Sequence, residues 1–173
     1  MVDNMGTHAL HCRRSAGRFA RHNEVNQEIR RILASLQILS RLEPPHLTTQ
    51  SAVRPDGKTL VVWKNGKYLA WDATIVDTLK TSQINRTSIQ AGAAAAAQEQ
   101  VKISKYSDLP NEYVFYPIAF ETLGSMGPQT RSFLSEIRDR FKTTFGPRSQ
   151  IYQFFHERVS LSIVRNNTAS WPV

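Results

Sequence analysis

The chain has 173 residues, and its 22 Lys and Arg against 14 Asp and Glu give a formal net charge of +8 and a pI of about 10.0. Hydrophobic residues make up 40% of the chain, which is enough for one domain with a hydrophobic core and argues against wholesale disorder. The excess of positive charge favours a polyanionic partner, most often nucleic acid, although a basic surface without a partner is the plainer alternative.

The sequence argues against three further classes of protein. No apolar run approaches the roughly 18 residues that a membrane span requires, and residues 1–6 lack the charged and apolar regions of a signal peptide. Cys12 is the one cysteine, so an internal disulfide framework is excluded. We therefore expect a protein that is not secreted, resides in the nucleus or elsewhere inside the cell, and has no membrane partner.

The first structured element in chain order is a helix. Apolar residues recur at helical spacing over residues 22–39, and Glu28 is predicted on the solvent-facing side. Residues 41–43 can form at most a short extended piece, because the prolines that follow prevent a helix from continuing. Residues 46–55 are predicted to be a loop.

A β-hairpin is the clearest local signal. Residues 59–63 and 68–76 are rich in β-branched and aromatic side chains, and an Asn65-Gly66 turn lies between them. Residues 77–87 are polar and are predicted to form a loop.

The second half of the chain alternates helix and strand. Residues 88–106 hold an alanine run that predicts a helix able to lie close to a sheet. Residues 113–120 predict a buried strand, and Pro117 within it indicates an edge strand or a bulge. Helices are predicted over 128–144 and 148–165. The fold class is therefore α+β in the order αβββαβ, a central mixed sheet flanked by helices, followed by two C-terminal helices.

Two carboxylates are predicted to meet at the base of the hairpin. Asp56 precedes the first strand and Asp72 lies in the second, so folding brings the two positions side by side. Such a pair can bind a hard divalent cation such as Mg²⁺, which activates water and stabilises charge on a phosphodiester. The alternative is a turn aspartate and a strand-end aspartate with no joint role. Asp77 is expected in solvent beyond the strand end.

Three residues with polar side chains that could take part in a functional site stand at the C-terminal end of the alanine-rich helix. Lys102 and Tyr106 share a helix face, and Lys105 is adjacent. Lysines near a helix C-terminus are common for electrostatic reasons alone. The functional alternative is that Lys102 reaches back to within about 3–6 Å of Asp72, with Lys105 as the lesser candidate.

A small His/Cys cluster lies near the N-terminus. His8, His11 and Cys12 could supply part of a tetrahedral zinc site, but no other cysteine is present to complete it. We therefore expect no stoichiometric zinc binding by this chain.

Taken together, three short motifs resemble a known enzyme family. Arg54-Pro55-Asp56, Trp71-Asp72-Ala73-Thr74 and Lys102-Ile103-Ser104-Lys105-Tyr106 are similar to the (K/R)-P-D, D-x-T and K-x-x-K-Y motifs of the restriction-like endonuclease domain found in early-branching, site-specific non-LTR retrotransposons. That domain belongs to the PD-(D/E)XK nuclease superfamily, whose core order is also αβββαβ. The resemblance extends over roughly residues 5–170.

The resemblance implies roles for individual residues. Asp56 and Asp72 would be Mg²⁺ ligands, and Lys102 would replace the lysine that the superfamily usually carries where Thr74 stands here. Glu24 and Glu43 are further candidates for a third acid. The basic residues expected to hold the DNA backbone are Arg13, Arg14, Arg18, Arg21, Arg54 and Lys58.

The resemblance also implies a domain organisation. Residues 6–12 look like the second half of the zinc knuckle that precedes the nuclease domain in this family, and the reverse transcriptase domain expected upstream is missing from this chain. The expected division is a tail that is the remnant of the knuckle over 1–17, the nuclease core over 18–124 and a helical extension over 125–173.

The function implied is that of a metal-dependent DNA endonuclease domain that nicks target DNA. The first alternative is a catalytically inactive, truncated relic that acts at most as a basic nucleic-acid-binding module. The second is a fragment that never folds stably.

Overall fold

A computed structural model describes residues 16–45, 47, 54–147 and 150–168. These residues form an α+β fold with a central mixed sheet, as predicted; the sheet has four strands, and there are five helices where four were predicted. The elements in chain order are α1 (Ala16–Ser35), β1 (Ser40–Leu42), β2 (Gly57–Lys64), β3 (Lys67–Val76), α2 (Thr81–Thr87), α3 (Ala93–Lys105), β4 (Tyr113–Glu121), α4 (Pro128–Phe145) and α5 (Ile151–Thr168).

The sheet follows chain order, β1-β2-β3-β4. β1, β2 and β3 are antiparallel, and the predicted hairpin of β2 and β3 is confirmed. Its turn has positive φ at both central residues, 50° at Asn65 and 74° at Gly66, which is the conformation that an Asn-Gly pair adopts readily. The turn therefore fixes the register that places the two strand bases together.

The last strand is parallel to β3 over nine residue pairs, from Tyr68 opposite Tyr113 to Val76 opposite Glu121. A parallel pair requires a crossover connection, and α3 supplies it, as predicted. β4 is an edge strand of the described sheet, which fits the expectation from Pro117, because a residue without an N–H group cannot donate to a further strand.

The first helix differs from its predicted bounds and from its predicted solvent-facing side. α1 covers Ala16–Ser35 rather than 22–39. Glu28, predicted to face solvent, is buried where α5 packs against α1: Arg158 of α5 donates two hydrogen bonds to it at 2.8 and 3.0 Å, and Arg31 donates another. A second helix that packs against α1 makes this side an interface rather than a solvated surface.

The segment after the hairpin also corrects the sequence-based prediction. Residues 81–87 form a short helix, none of whose residues is buried, so the segment lacks the apolar stripe that would have predicted it. Asp77 is buried rather than in solvent, and its Oδ1 accepts a hydrogen bond of 3.0 Å from the backbone N–H of Leu79.

One hydrophobic core joins the sheet to the helices. Side chains of α1, β3 and β4 meet Phe133, Ile137 and Phe141 of α4 and Phe155, Val159 and Ile163 of α5 in a single cluster. α1 and α5 pack antiparallel, with Arg158 on Glu28 at one end and Arg21 donating to Asn167 Oδ1 at 2.9 Å at the other. The two C-terminal helices thus contribute to the same core as the sheet.

Two buried glutamates cap helices to which they do not belong. Glycines stand at both N-cap positions, Gly92 before α3 and Gly127 before α4, and neither carries a capping side chain. Glu121 accepts hydrogen bonds from the N–H groups of the first turn of α3 at 3.0 and 3.3 Å, and Glu99 accepts from the first turn of α4 at 3.0 and 2.8 Å. These carboxylates accept hydrogen bonds from backbone N–H groups that have no partner within their own helix. Their position at the N-terminus also gives a favourable interaction with the positive end of each helix dipole.

None of the described helices combines the length and the apolar composition needed to cross a membrane.

Candidate active site

The base of the hairpin brings the two predicted carboxylates to one place. Gly57 lies opposite Trp71 in the antiparallel register, and continuing that register by one residue places Asp56 opposite Asp72. The Asp56 carboxylate crosses to the neighbouring strand and accepts a hydrogen bond of 2.7 Å from the backbone N–H of Ala73. The base of the hairpin therefore carries two aspartates on adjacent strands.

Asp56 is oriented by two polar residues of α1. His22 Nε2 donates to Asp56 Oδ2 at 2.8 Å, and Asn26 Nδ2 donates to the same oxygen at 3.2 Å. Asn26 is itself fixed, because its Oδ1 accepts a hydrogen bond of 2.9 Å from the indole N–H of buried Trp71. All three hydrogen bonds that the described residues make to the Asp56 carboxylate fall on Oδ2.

The electrostatic interaction between Asp56 and His22 favours the charged form of the Asp56 carboxylate. Burial alone would raise the pKa of Asp56, but the hydrogen bonds from His22, Ala73 and Asn26 and the charge of His22 outweigh burial and lower it. The hydrogen bond to Asp56 raises the pKa of His22 against the opposing effect of burial. Asp56 is thus ionised at neutral pH.

Asp72 faces three groups from the C-terminal end of α3. The carboxylate is almost fully buried, with 4% of its side chain exposed. Lys102 binds Oδ1 through a short contact, Tyr106 hydrogen-bonds Oδ2, and the Lys105 ammonium lies 3.7 Å from Oδ2. A buried carboxylate requires such partners, and here two cations and a hydroxyl converge on it.

Tyr106 links the helix to the loop before β2. Its hydroxyl lies 2.7 Å from the backbone carbonyl oxygen of Arg54, and its ring packs against Phe115 with centroids 4.6 Å apart. Burial, followed by the hydrogen bond to Asp72, raises the pKa of Tyr106. The hydroxyl therefore keeps its proton and acts as a donor.

The contact expected between Lys102 and Asp72 is present, and Lys105 also reaches the carboxylate. Of the two candidates for a third acid, Glu24 accepts a hydrogen bond from Asn166 at 2.8 Å. Glu43 lies next to Asp56, since its backbone N–H donates to the Asp56 carbonyl oxygen at 2.8 Å, but its carboxylate accepts from Arg54 at 2.8 Å.

The residues expected to hold DNA fall into three groups. Arg18 and Arg54 are exposed, and Lys58 is half-buried beside Tyr113. Arg21 corrects the prediction, because its side chain is buried between α1 and α5 and cannot reach a phosphate on the surface. The remaining members of the predicted sets lie outside the described residues: His8, His11, Cys12, Arg13 and Arg14.

Sequence reasoning missed His22 and Asn26. The two side chains are four residues apart and therefore share one face of α1. The signal in the sequence was two polar residues on a helix face that also carries Val25 and Ile29. Polar groups on a buried face need partners, and here the partner is 30 to 34 residues further along the chain.

The two carboxylates at the hairpin base suit a metal ion that retains several of its water ligands when it binds. Among the described residues, no cluster of three or more His, Cys, Asp or Glu side chains is arranged to bind a metal ion. Mg²⁺ prefers carboxylate oxygens and is commonly bound by one or two carboxylates, with water and substrate phosphate completing its octahedron. Asp56, whose hydrogen bonds from the described residues all fall on Oδ2, and Asp72 on the adjacent strand supply the two carboxylates that such a site would use.

No protein-family model matches this chain, and a search of curated proteins finds no match. The geometry of the two aspartates and of the groups around them is therefore the basis on which a function can be proposed.

Proposed function

We propose that this chain is a metal-dependent DNA endonuclease domain of the restriction-like type that resembles those of non-LTR retrotransposon proteins. The observation that carries the proposal is the convergence of Asp56 and Asp72 with Lys102, Lys105 and Tyr106 at the base of the hairpin. The described elements before the two C-terminal helices follow the order αβββααβ, which is the expected αβββαβ order with the short helix α2 added before α3, and this order supports the same assignment. The nucleus, where target DNA lies, is the proposed location.

Asp56 and Asp72 are the residues that would hold Mg²⁺. When bound, the cation would activate water and stabilise the negative charge that develops on the phosphate. His22, Asn26 and the Ala73 N–H orient Asp56 for this role, because all three donate to one carboxylate oxygen, Oδ2, and none of them occupies Oδ1.

The lysines supply positive charge at the place where the phosphate would lie. In the hydrolysis, a water oxygen bonds to phosphorus, the bond from phosphorus to the leaving sugar oxygen breaks, and that oxygen takes up a proton. Lys102 lies against Asp72 with 19% of its side chain exposed, and Lys105 is 40% exposed. Both ammonium groups are near enough to stabilise charge on a bound phosphate.

Two cations beside the hairpin base, exposed Arg54 and half-buried Lys58, would hold the DNA backbone. Arg54 is directly before the site, and Lys58 lies two residues beyond Asp56 on β2. Both contribute to the net charge of +8, which favours binding to a polyanion.

A second candidate function is a nucleic-acid-binding module that does not cleave. The observation that favours it is the direct contact of Asp72 with Lys102 and Tyr106, since both oxygens of this carboxylate already have partners within the chain. In this case the site is a structural ion pair, and the basic surface alone carries the function.

Nicking of supercoiled plasmid DNA distinguishes the two candidates. We expect Mg²⁺-dependent conversion to the open-circular form, lost on chelation and lost in Asp56→Asn and Asp72→Asn. The matched control is Asp139→Asn, an aspartate of α4 with 63% of its side chain exposed and no contact with the site. DNA binding without nicking by the folded wild-type chain would support the binding module instead.

A further inference from the structure

A pair of tyrosines lies on the same face of the sheet as Asp72. Side chains alternate along a strand, so Tyr68, Ala70 and Asp72 of β3 point to one face. Tyr113 lies directly opposite Tyr68 on β4, and the two rings have their centroids 5.9 Å apart. Lys58, opposite Ala70 on β2, completes a group that we name the tyrosine platform: Lys58, Tyr68 and Tyr113.

The platform lies beyond the part of this face that α3 covers. The helix ends at Lys105, and its neighbour Tyr106 packs on Phe115, two residues further along β4 than Tyr113. Tyr68 and Tyr113 are each partly exposed, and Val62, opposite Tyr68 on β2, is 52% exposed. The result is an open patch of two aromatic rings on the sheet face.

The platform combines ring surface with positive charge. Lys58 Nζ donates to the Tyr113 hydroxyl at 3.1 Å and lies 5.5 Å from the centre of that ring. Four residues separate Tyr68 from Asp72, which corresponds to about 13 Å along a strand. The platform is therefore one or a few nucleotides away from the proposed site of cleavage.

We propose that the platform binds unpaired bases of single-stranded DNA next to the cleaved phosphate. Aromatic rings beside a basic groove bind single strands by stacking, which is open to any base because every base has a π-face. In an intact duplex the base faces are covered by their neighbours, so a duplex would contact this patch only through its backbone. The inference rests on the proposed nuclease function for its link to cleavage and names the substrate class: DNA with a single-stranded segment at the cut.

Binding measured without divalent cation tests the platform apart from cleavage. Fluorescence anisotropy of a labelled oligothymidine of about 15 nucleotides, and of a duplex of equal length, gives both affinities at one fixed salt concentration. We expect Tyr68→Ala and Tyr113→Ala each to weaken single-strand binding about tenfold and to leave duplex binding within about twofold of wild type. Tyr68→Phe keeps the ring and is expected to bind as the wild type does.

The controls separate stacking from folding. Phe154→Ala removes an aromatic side chain of α5 that is 57% exposed, and both affinities should stay unchanged. Circular dichroism checks that each variant folds. If an alanine variant does not fold, Tyr68→Leu and Tyr113→Leu, which retain apolar bulk without the ring, replace it.

The outcomes separate the platform from the nuclease. Equal loss of single-strand and duplex binding, or no loss of either, overturns the platform. Selective loss of single-strand binding supports it even if the wild-type chain does not nick plasmid, in which case the proposed nuclease function alone fails. Nicking that is independent of both tyrosines, together with unchanged single-strand binding, overturns the platform and leaves the nuclease proposal in place.

Discussion

Asp72 is a nearly buried carboxylate that faces two lysine ammonium groups at different distances. Lys102 is in direct contact and Lys105 is 3.7 Å away, and Lys105 is about twice as exposed, at 40% against 19%. A buried charge that loses its closest partner keeps its desolvation penalty, whereas loss of a more exposed partner is partly compensated by water. The two lysines are therefore expected to differ in their effect on stability.

We predict that Lys102→Met lowers the free energy of unfolding by about 1–3 kcal/mol. Lys105→Met should lower it by less than about 1 kcal/mol, since it removes a partly exposed and more distant charge. Urea denaturation followed by circular dichroism measures both changes. A larger loss for Lys105→Met would contradict the assignment of Lys102 as the principal partner of Asp72.

A second charged cluster lies at the turn end of the hairpin. Lys64 donates to Glu136 Oε1 at 2.7 Å, and Tyr116 hydrogen-bonds the same oxygen. Burial alone would raise the pKa of Glu136, but the hydrogen bonds from Lys64 and Tyr116 outweigh burial and lower it below its ordinary value of 4.5. The folded chain therefore binds this proton less readily than the unfolded chain does.

We predict that Glu136 contributes to an acid-dependent loss of stability. A carboxyl whose pKa is lowered by folding stabilises the protein above its unfolded pKa, and this contribution disappears as the pH falls through the lowered value. The difference in unfolding free energy between wild type and Glu136→Gln should therefore shrink as the pH falls below about 5. Denaturation curves from pH 6 to pH 3, with exposed Glu157→Gln as the control, measure it. A difference that grows toward low pH would show the opposite sign.

The helices of this protein depend on carboxylates supplied by their neighbours. Glu99 of α3 binds the first turn of α4, and it is fully buried. A Cβ atom at Gly127 would lie 2.2 Å from Glu99 Oε1, so the glycine at the N-cap is what admits the carboxylate. The Glu99 side chain therefore couples the packing of α3 against α4 to the stability of the first turn of α4.

We predict that Glu99→Ala lowers the free energy of unfolding by at least about 2 kcal/mol, because buried N–H groups of α4 lose their acceptor. Glu99→Gln, which retains one acceptor oxygen, should cost less. Exposed Gln100→Ala, one residue further along α3, controls for helix propensity. Chemical denaturation measures all three. A neutral Glu99→Ala would mean that water replaces the carboxylate at the helix start.

At the level of elements, the sequence predicted what depends on local pattern. The Asn65-Gly66 turn and the alternating strands beside it established the hairpin, and the alanine run established α3. α2 was missed because it buries no residue and so carries no periodic signal. The start of α1 at Ala16 was missed because its first turns lack the apolar spacing that marks the rest of the helix.

The candidate site was predictable only where its members lie on one hairpin or one helix. Asp56 and Asp72 flank a turn, and Lys102 and Tyr106 share a helix face, so spacing made each pair a candidate and the resemblance to a nuclease family joined the two pairs into one site. The hydrogen bonds of His22 and Asn26 join α1 to the hairpin across 30 or more residues, and those of Arg158 join α5 to α1 across 130. Contacts at such separations depend on tertiary packing, which no local pattern contains.

On the scale of the whole molecule, net charge governs association with nucleic acid. A chain with a formal charge of +8 whose basic residues are spread along the sequence should bind DNA chiefly through phosphates. We predict that the affinity for duplex DNA falls linearly in log–log form with salt and differs little between sequences. Anisotropy titrations over about 50–200 mM salt measure the slope. A sequence-specific footprint that persists at the higher salt concentration would contradict this prediction.

The antiparallel packing of α1 and α5 places the two ends of the described chain side by side. Arg21 contacts Asn167 across 146 positions of sequence, while Glu28 contacts Arg158 further along both helices. When the two ends of a fold are adjacent, they can be joined and the chain can be opened elsewhere without altering the contacts. Such folds tolerate circular permutation. We predict that a circular permutant, in which α5 is joined to α1 and the chain is opened at the exposed Asn65-Gly66 turn, retains the wild-type circular dichroism spectrum. Loss of that spectrum would show that the closed hairpin is indispensable to the fold.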